Sequence, residues 1–108
     1  MSSGGRALLI VRSSVVPARE EEYNRWYNEV HVRDMRKVPG VLSARRYVSL
    51  LDDPKYAAVY ELESEDVFRS EAYLNVPFGR RDGGLPAKFG ADLTGYVRHQ
   101  YKLLYTAE

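Results

Sequence analysis

The amino-acid sequence predicts one α+β domain whose elements follow the order β-α-β-β-α-β. Three patterns indicate this fold class: an amphipathic helical repeat, a strictly alternating segment near the end of the chain, and β-rich segments bounded by turn residues. The length of 108 residues is enough for one compact domain and too short for two. We expect a flexible start over residues 1–6 and a single domain over residues 7–108.

The first predicted elements are a strand and a long helix. The strand covers residues 7–13, which are rich in β-forming side chains and lie between a glycine pair and a proline. The helix covers residues 18–38, begins with glutamates, ends with basic residues as the helix dipole favours, and stops at Pro39-Gly40. One face of this helix is apolar and carries Tyr23, Trp26, Tyr27, Val30, His31, Met35 and Val38.

A hairpin and a shorter helix follow. Residues 41–51 and 55–63 predict two antiparallel strands, because an Asp-Asp-Pro turn separates them. Ser64 is expected to cap the shorter helix. The buried side of that helix is predicted to carry Val67, Phe68, Ala72 and Leu74.

The last part of the chain predicts a loop and a fourth strand. Glycines and prolines make residues 77–86 a loop, interpreted as a surface connection with a flap over a pocket as the alternative, and residues 85–93 hold a short helical turn. Residues 95–105 alternate, with Val97, His99, Tyr101, Leu103 and Tyr105 on one face and Arg98, Gln100 and Lys102 on the other. The complete order is that of the ferredoxin-like fold, a four-stranded antiparallel sheet with two helices on one face.

The second and third strands carry apolar side chains on both faces. Two helices cover only one face of such a sheet, so the second apolar face needs a partner. We therefore expect a homodimer in which two copies pack sheet against sheet. In the second strand the faces are predicted to carry Leu42, Ala44, Val48 and Leu50 on one side and Val41, Tyr47 and Leu51 on the other.

Charge and cysteine content argue against several classes of function. Sixteen basic and fifteen acidic residues leave a net charge of +1, so neither nucleic acid nor a membrane surface is expected as a partner. The absence of cysteine excludes disulfides, thiolate nucleophiles and thiolate-bound metals. The first residues lack the apolar core of a signal peptide, and no apolar run reaches the length of a membrane span, so we expect a cytoplasmic protein.

The long helix and the following strand carry a pattern that resembles a known superfamily. Residues 23–31 read Tyr-Asn-Arg-Trp-Tyr-Asn-Glu-Val-His, residues 38–41 read Val-Pro-Gly-Val, and residues 45–47 read Arg-Arg-Tyr. This pattern resembles the dimeric α/β-barrel superfamily, and within it the EthD-like and polyketide-cyclase-like branches. The resemblance implies that two protomers form a barrel through their sheets, with a small-molecule pocket between each sheet and its own helices. Members include monooxygenases, cyclases, isomerases, aldoxime dehydratases and haem-degrading enzymes, so the resemblance constrains fold more than chemistry.

His31 is the leading candidate for a catalytic residue, and Tyr27 and Arg46 are candidate helpers. His31 lies on the apolar face of the helix and matches a histidine of the superfamily pattern, although a hydrogen-bonded core histidine is the alternative. Tyr27 precedes it by one turn and is expected to orient it through its hydroxyl. Arg46 interrupts an apolar strand face, where it either holds a carboxylate or enolate oxygen of a substrate or pairs with a glutamate.

Four further residues are predicted to bind substrate. Tyr23 and Trp26 extend the aromatic cluster of the helix, which suits a flat ligand, with core packing as the alternative. His99 and Tyr101 share one face of the last strand, which turns either toward His31 or toward the dimer barrel. The two histidines lack metal-ligand spacing, so no metal site is expected. The sequence also lacks a phosphate-binding or dinucleotide-binding motif, so no cofactor is expected.

These residues favour an enzyme that binds an apolar, aromatic or polyketide-like metabolite. We expect cofactor-free proton transfer centred on His31, as in a cyclase, isomerase or lyase. One alternative is a cofactor-independent monooxygenase of phenolic substrates. The other is a small-molecule-binding or accessory protein without catalytic activity.

Overall fold

A four-stranded antiparallel sheet forms the framework of the computed structural model, which describes residues 5–107. The strands lie in the order β2-β3-β1-β4, the ferredoxin-like arrangement expected from the sequence. Their bounds are Ala7–Val15 for β1, Val41–Val48 for β2, Tyr56–Leu62 for β3 and Leu93–Lys102 for β4. Most of the flexible start predicted for residues 1–6 lies outside the described residues. Its last residue, Arg6, is held by an ion pair with Glu61 at 2.9 Å between Nη1 and Oε2.

The long helix is confirmed, but its geometry changes along its length. A 3₁₀ turn over Pro17–Arg19 leads into α1 at Glu20–Trp26. A π-helical turn over Tyr27–His31 follows, and α2 at Val32–Arg36 ends the helical stretch. The N–H of Val32 donates to the carbonyl of Tyr27, five residues earlier, so this turn holds one residue more than an α-helical turn.

The second helical region is shorter and more broken than the single helix predicted for it. A 3₁₀ turn over Glu65–Arg69 and α3 at Glu71–Leu74 are separate, because two serines each cap a turn of their own. The hydroxyl of Ser64 accepts from Asp66 N–H, and that of Ser70 accepts from Tyr73 N–H. This break turns Tyr73 into the core and leaves Ala72 exposed, which corrects the predicted buried side.

The remaining helical segments confirm the short turn expected near residues 85–93. They are a 3₁₀ turn over Arg80–Asp82, α4 over Gly84–Phe89 and a 3₁₀ turn over Gly90–Asp92. Leu85 and Phe89 of α4 are buried. No helix within residues 5–107 is both long and apolar enough to cross a membrane.

The core lies between the helices and the inner face of the sheet. Alternate residues of β1, from Ala7 to Val15, are buried, and the register pairs buried Leu9 with Tyr60 of β3. Tyr23 and Trp26 of α1 are also buried in this layer. The inner face is therefore the side of the sheet on which the helices bury apolar surface.

A β-bulge near the start of β2 corrects the predicted face of one residue. Val41 pairs with Leu62, and Ser43 pairs with Glu61, so β2 has one residue more than β3 at this point. Val41 is consequently buried on the inner face, whereas Tyr47, with which it is predicted to share a face, lies on the outer one.

The outer face of the sheet keeps a broad apolar surface exposed. Tyr47 of β2 is 53% exposed and Tyr101 of β4 is 49% exposed. Between them, the register places Leu8 and Ile10 of β1 and Val59 of β3 on the same face. This surface is the one on which the sequence-based expectation of a homodimer depends.

Gly40, which ends the long helical stretch, yields a test of the packing between helix and hairpin. Its φ is +95°, and a Cβ at this position would meet Val67 Cγ2 at 2.5 Å. Gly40→Ala is expected to lower the free energy of unfolding by about 3 kcal/mol, from backbone strain and the clash together. Urea denaturation measures this loss.

Gly84→Ala is the matched control for this substitution. Gly84 also has a positive φ, +66°, but a Cβ there would meet its nearest atom at an ordinary 3.7 Å. We expect Gly84→Ala to lower the free energy of unfolding by about 1 kcal/mol, from backbone strain alone. Equal losses in the two variants would show that the contact with Val67 is unimportant.

Candidate active site

His31 lies in a cavity of about 280 Å³ between the sheet and the helical layer. Leu9 and Val11 of β1 form part of its floor, together with residues of β3 and β4. The π-helical turn supplies Tyr27 and His31, and residues of the loop 78–86 close the cavity on the side of β4. This segment, which runs into the first turn of α4, therefore forms a wall of the cavity and is more than a surface connection.

The π-helical turn determines how His31 is held. Trp26 and His31 are five positions apart, and in an α-helix of 3.6 residues per turn such residues point in different directions. Here the wide turn stacks the two rings, with centroids 4.8 Å apart and planes 15° apart. Tyr27 meets the imidazole edge-on at 5.4 Å and 84°. His31 is only 8% exposed as a result.

His31 is an uncharged imidazole at neutral pH. Burial lowers its pKa from 6.5 to about 4, and the positive charge of Arg98 contributes to the same shift. Its Nδ1 is buried and has no hydrogen-bond partner among the described residues. A neutral imidazole with a free ring nitrogen is a group that can accept a proton from a bound ligand.

Three more side chains bring unpartnered polar atoms to the cavity wall. The hydroxyls of Tyr60 and Tyr73, and Nε and Nη2 of Arg98, are buried without partners among the described residues. Burial raises the pKa of Tyr60, so its hydroxyl keeps its proton and stays a donor. Buried polar groups are normally hydrogen-bonded, so these atoms mark positions that a ligand would satisfy.

The cavity wall is basic. Arg80 and Arg98 contribute to it, and its described lining includes no aspartate or glutamate. Across residues 5–107, no three His, Asp or Glu side chains form a group that could hold a metal ion. The arrangement therefore favours ligands that carry, or acquire, negative charge on oxygen.

Arg46 lies outside this cavity, which separates it from the predicted catalytic pair. Its guanidinium lies over the ring of Tyr27, 4.5 Å from the centroid, and its Nη1 donates to Asn28 Oδ1 at 2.9 Å. Arg46 therefore packs against Tyr27, which lines the cavity, without lining the cavity itself. The contact between Tyr27 and His31 is between rings, whereas the sequence predicts a contact through the tyrosine hydroxyl.

The two aromatic residues predicted to bind substrate pack behind the cavity. Tyr23 is 1% exposed, and its hydroxyl is hydrogen-bonded to Ser13 Oγ, so the core-packing alternative describes it. Trp26 is also buried and does not line the cavity itself, but its ring contacts three residues that do, His31, Tyr27 and Phe78.

His99 and Tyr101 lie on the other face of the sheet from His31. The register pairs His99 with Ile10 and Tyr101 with Leu8, both on the outer face, whereas Arg98 pairs with buried Val11. Of the two orientations left open by the sequence, the structure has the one that turns His99 and Tyr101 away from His31, so neither lines the cavity around His31.

Three residues that line the cavity are not among the site residues predicted from the sequence: Tyr60, Tyr73 and Arg98. The alternation of the last strand does put Arg98 on the face opposite His99. The signal that identifies this face as the inner one is the pairing of β4 with the alternately buried β1. Tyr73 carried no usable signal, because its inward position depends on the break at Ser70.

Several solved structures share this fold. The haem-degrading protein MhuD of Mycobacterium tuberculosis, with two haems in its active site, is 18% identical, with 94% of this chain and 99% of that chain covered at a TM-score of 0.64. A candidate antibiotic biosynthesis monooxygenase of Nitrosomonas europaea is 19% identical, with 100% and 99% covered at 0.63. SnoaB, a cofactor-independent oxygenase of Streptomyces nogalater, is 17% identical, with 94% and 96% covered at 0.65.

The comparisons establish the fold of the chain. It is the ferredoxin-like fold of the antibiotic biosynthesis monooxygenases, and the likeness does not single out the EthD-like or cyclase branches. No protein-family model and no curated protein sequence matches the chain.

The buried neutral histidine predicts how stability depends on pH. Between pH 6.5 and about 4 the unfolded imidazole binds a proton and the folded one does not, so acid favours unfolding. His31 should therefore reduce the free energy of unfolding by about 1.4 kcal/mol per pH unit in this window, about 3 kcal/mol in total, with no further change below it. Urea denaturation at a series of pH values measures this.

The contribution of His31 is the difference between the wild-type and His31→Gln curves. His99→Gln, which removes the other histidine of the chain, is measured beside it and shows how much of the wild-type dependence does not come from His31. Parallel curves for wild type and His31→Gln would contradict the prediction.

Proposed function

We propose that this chain is a cofactor-independent oxygenase of a phenolic or enolisable aromatic compound. The observation that carries the proposal is the neutral, unpartnered imidazole of His31 in an aromatic, basic cavity. A similar structure is that of a cofactor-independent oxygenase, which supports an oxygenase more than the cyclase, isomerase or lyase predicted first.

The first step is the transfer of a proton from the substrate to His31. Burial favours the neutral imidazole before the step, so the base is available throughout the neutral range. The anion that forms lies near the charge of Arg98, and the unpartnered hydroxyls of Tyr60 and Tyr73 can donate to it. Once it is present, the anion also stabilises the imidazolium, which offsets the repulsion from Arg98.

The second step is the reaction of the anion with dioxygen. A phenolate can give an electron to dioxygen, and recombination of the two radicals forms a carbon–oxygen bond. The peroxide anion that results takes the proton back from His31, and the hydroperoxide then loses water, so one oxygen atom stays on the ring as a carbonyl and the other leaves as water. The substrate supplies all the electrons as its C–H and O–H bonds become a quinone, so no external reductant is needed.

A cofactor-free isomerase or cyclase is the second candidate, because it needs the same proton transfer. The same imidazole and the same donors would stabilise its enolate. The two candidates differ in whether dioxygen is consumed, and this difference decides the experiment.

The outer face of the sheet supports a homodimer as part of the proposal. Leu8, Ile10 and Val59 form an apolar strip there, and exposed aromatic residues flank it. A second copy of the chain would cover this face without needing any other partner.

Removing the base is expected to abolish oxygen uptake. With α-naphthol and a panel of one- and two-ring phenols, wild type should consume one dioxygen per quinone formed, and His31→Gln should lower kcat/KM at least about 100-fold. An oxygen electrode and quinone absorbance measure this. The wild-type kcat/KM should rise with pH through about 4 and stay level above it.

The control for this experiment is Arg33→Gln, which changes an exposed residue of α2. Full oxygen uptake by His31→Gln would overturn the assignment of the base. If no phenol of the panel supports oxygen uptake, the oxygenase is overturned and the isomerase or cyclase takes its place.

Placing a charge in the apolar strip is expected to dissociate the dimer. Ile10→Glu should reduce the mass in solution from twice that of one chain to that of one chain, because burying a carboxylate without a partner is costly. Light scattering after size exclusion measures the mass. Val30→Glu, at a 43% exposed position of the helical layer, should remain dimeric. A wild-type protein of single-chain mass would refute the dimer.

A further inference from the structure

The cavity around His31 adjoins a larger groove along the edge strand β4. The groove has a volume of about 930 Å³ and lies between β4 and the two short turns after β3. Tyr73, Arg80 and Arg98 line both spaces. A ligand bound at His31 therefore has room to extend past these residues into the groove.

Arg98 presents an unoccupied pair of donors at this junction. Its Nε and Nη2 lie on the same edge of the guanidinium, and both are buried without a partner in the described part of the chain. Two parallel N–H groups at this edge match the two oxygens of one carboxylate. The guanidinium also lies over the ring of Tyr73, 5.7 Å from the centroid.

The charges around the junction favour the same ligand chemistry. The groove is lined by four cationic side chains, Arg69, Arg80, Arg98 and Lys102, and by a single carboxylate, that of Glu65. Burial lowers the pKa of Arg98, and no carboxylate forms an ion pair with it within the described residues. A bound anion would compensate this charge.

We propose that the substrate carries a carboxylate that Arg98 binds through Nε and Nη2. The aromatic ring then lies in the cavity with His31, and the rest of the molecule extends along the groove. This inference rests on the proposed function, because it takes the ring as the part that reacts at His31. It narrows the substrate class to phenolic aromatic acids.

A matched pair of ligands tests the inference. Para-hydroxyphenylacetate and para-hydroxyphenylacetamide have the same shape, but only the first carries a carboxylate. Wild type is expected to bind the acid at least about ten-fold more tightly than the amide. Trp26 is the single tryptophan of the chain and stacks on His31, so its fluorescence reports binding without turnover.

Arg98→Lys keeps the charge but removes the fork. This variant should lose most of the preference for the acid, whereas Arg33→Lys, the same change at an exposed position, should keep it. Equal binding of acid and amide by wild type would overturn the proposal, and this comparison needs no variant to fold. An undiminished preference in Arg98→Lys would overturn it as well.

Two further measurements distinguish this inference from the proposed function and from haem binding. His31→Gln should keep the preference for the acid while losing turnover, so turnover that survives in this variant counts against the proposed function alone. The second measurement uses hemin, whose propionates are carboxylates on a macrocycle. Binding of hemin without binding of the small acid would overturn the assignment to aromatic acids.

Discussion

The cavity exists because the helical layer covers one face of the sheet unevenly. The inner face is apolar along β1 and β3 and has to be kept from water. The long helical stretch over residues 17–36 packs against the β2 side, while only short turns and the loop 78–86 cover the β4 side. Short segments do not fill the space above four strands. The polar ends of Tyr60, Tyr73 and Arg98 are left facing that space without protein partners.

Local signals in the sequence were enough to predict the element order and the main features of the helix. Turn residues mark the strand ends, and the apolar repeat identifies the face of the helix that carries Tyr27 and His31. The alternation of the last strand also separates Arg98 from His99. It does not say which of the two faces inward, because that depends on pairing with β1, more than eighty positions earlier.

The features that the sequence did not predict are places where a single residue shifts the side-chain pattern of a strand or helix. The bulge in β2 moves Val41 to the inner face, and the serine at 70 divides a helix and turns Tyr73 inward. The π-helical turn stacks Trp26 on His31. Each inserted or capped residue changes the direction of the side chains next to it but leaves the local composition unchanged. The hydrophobic periodicity therefore does not predict these changes. The place of Arg98 in the cavity wall is likewise a property of the tertiary structure, because it depends on the pairing of Arg98 with Val11 of β1.

The π-helical turn makes the direction of His31 depend on a single extra residue in the helix. Deleting a single residue between 27 and 31 would restore a continuous α-helix and turn the residues on one side of the deletion by about 100° relative to those on the other. Side chains are buried on both sides of the turn, Tyr23 and Trp26 before it and Met35 after it, so the deletion would also turn one of these sets away from the sheet. Within a lineage of such chains, the position of His31 and the packing of the helix are therefore inherited together, because one insertion or deletion changes both.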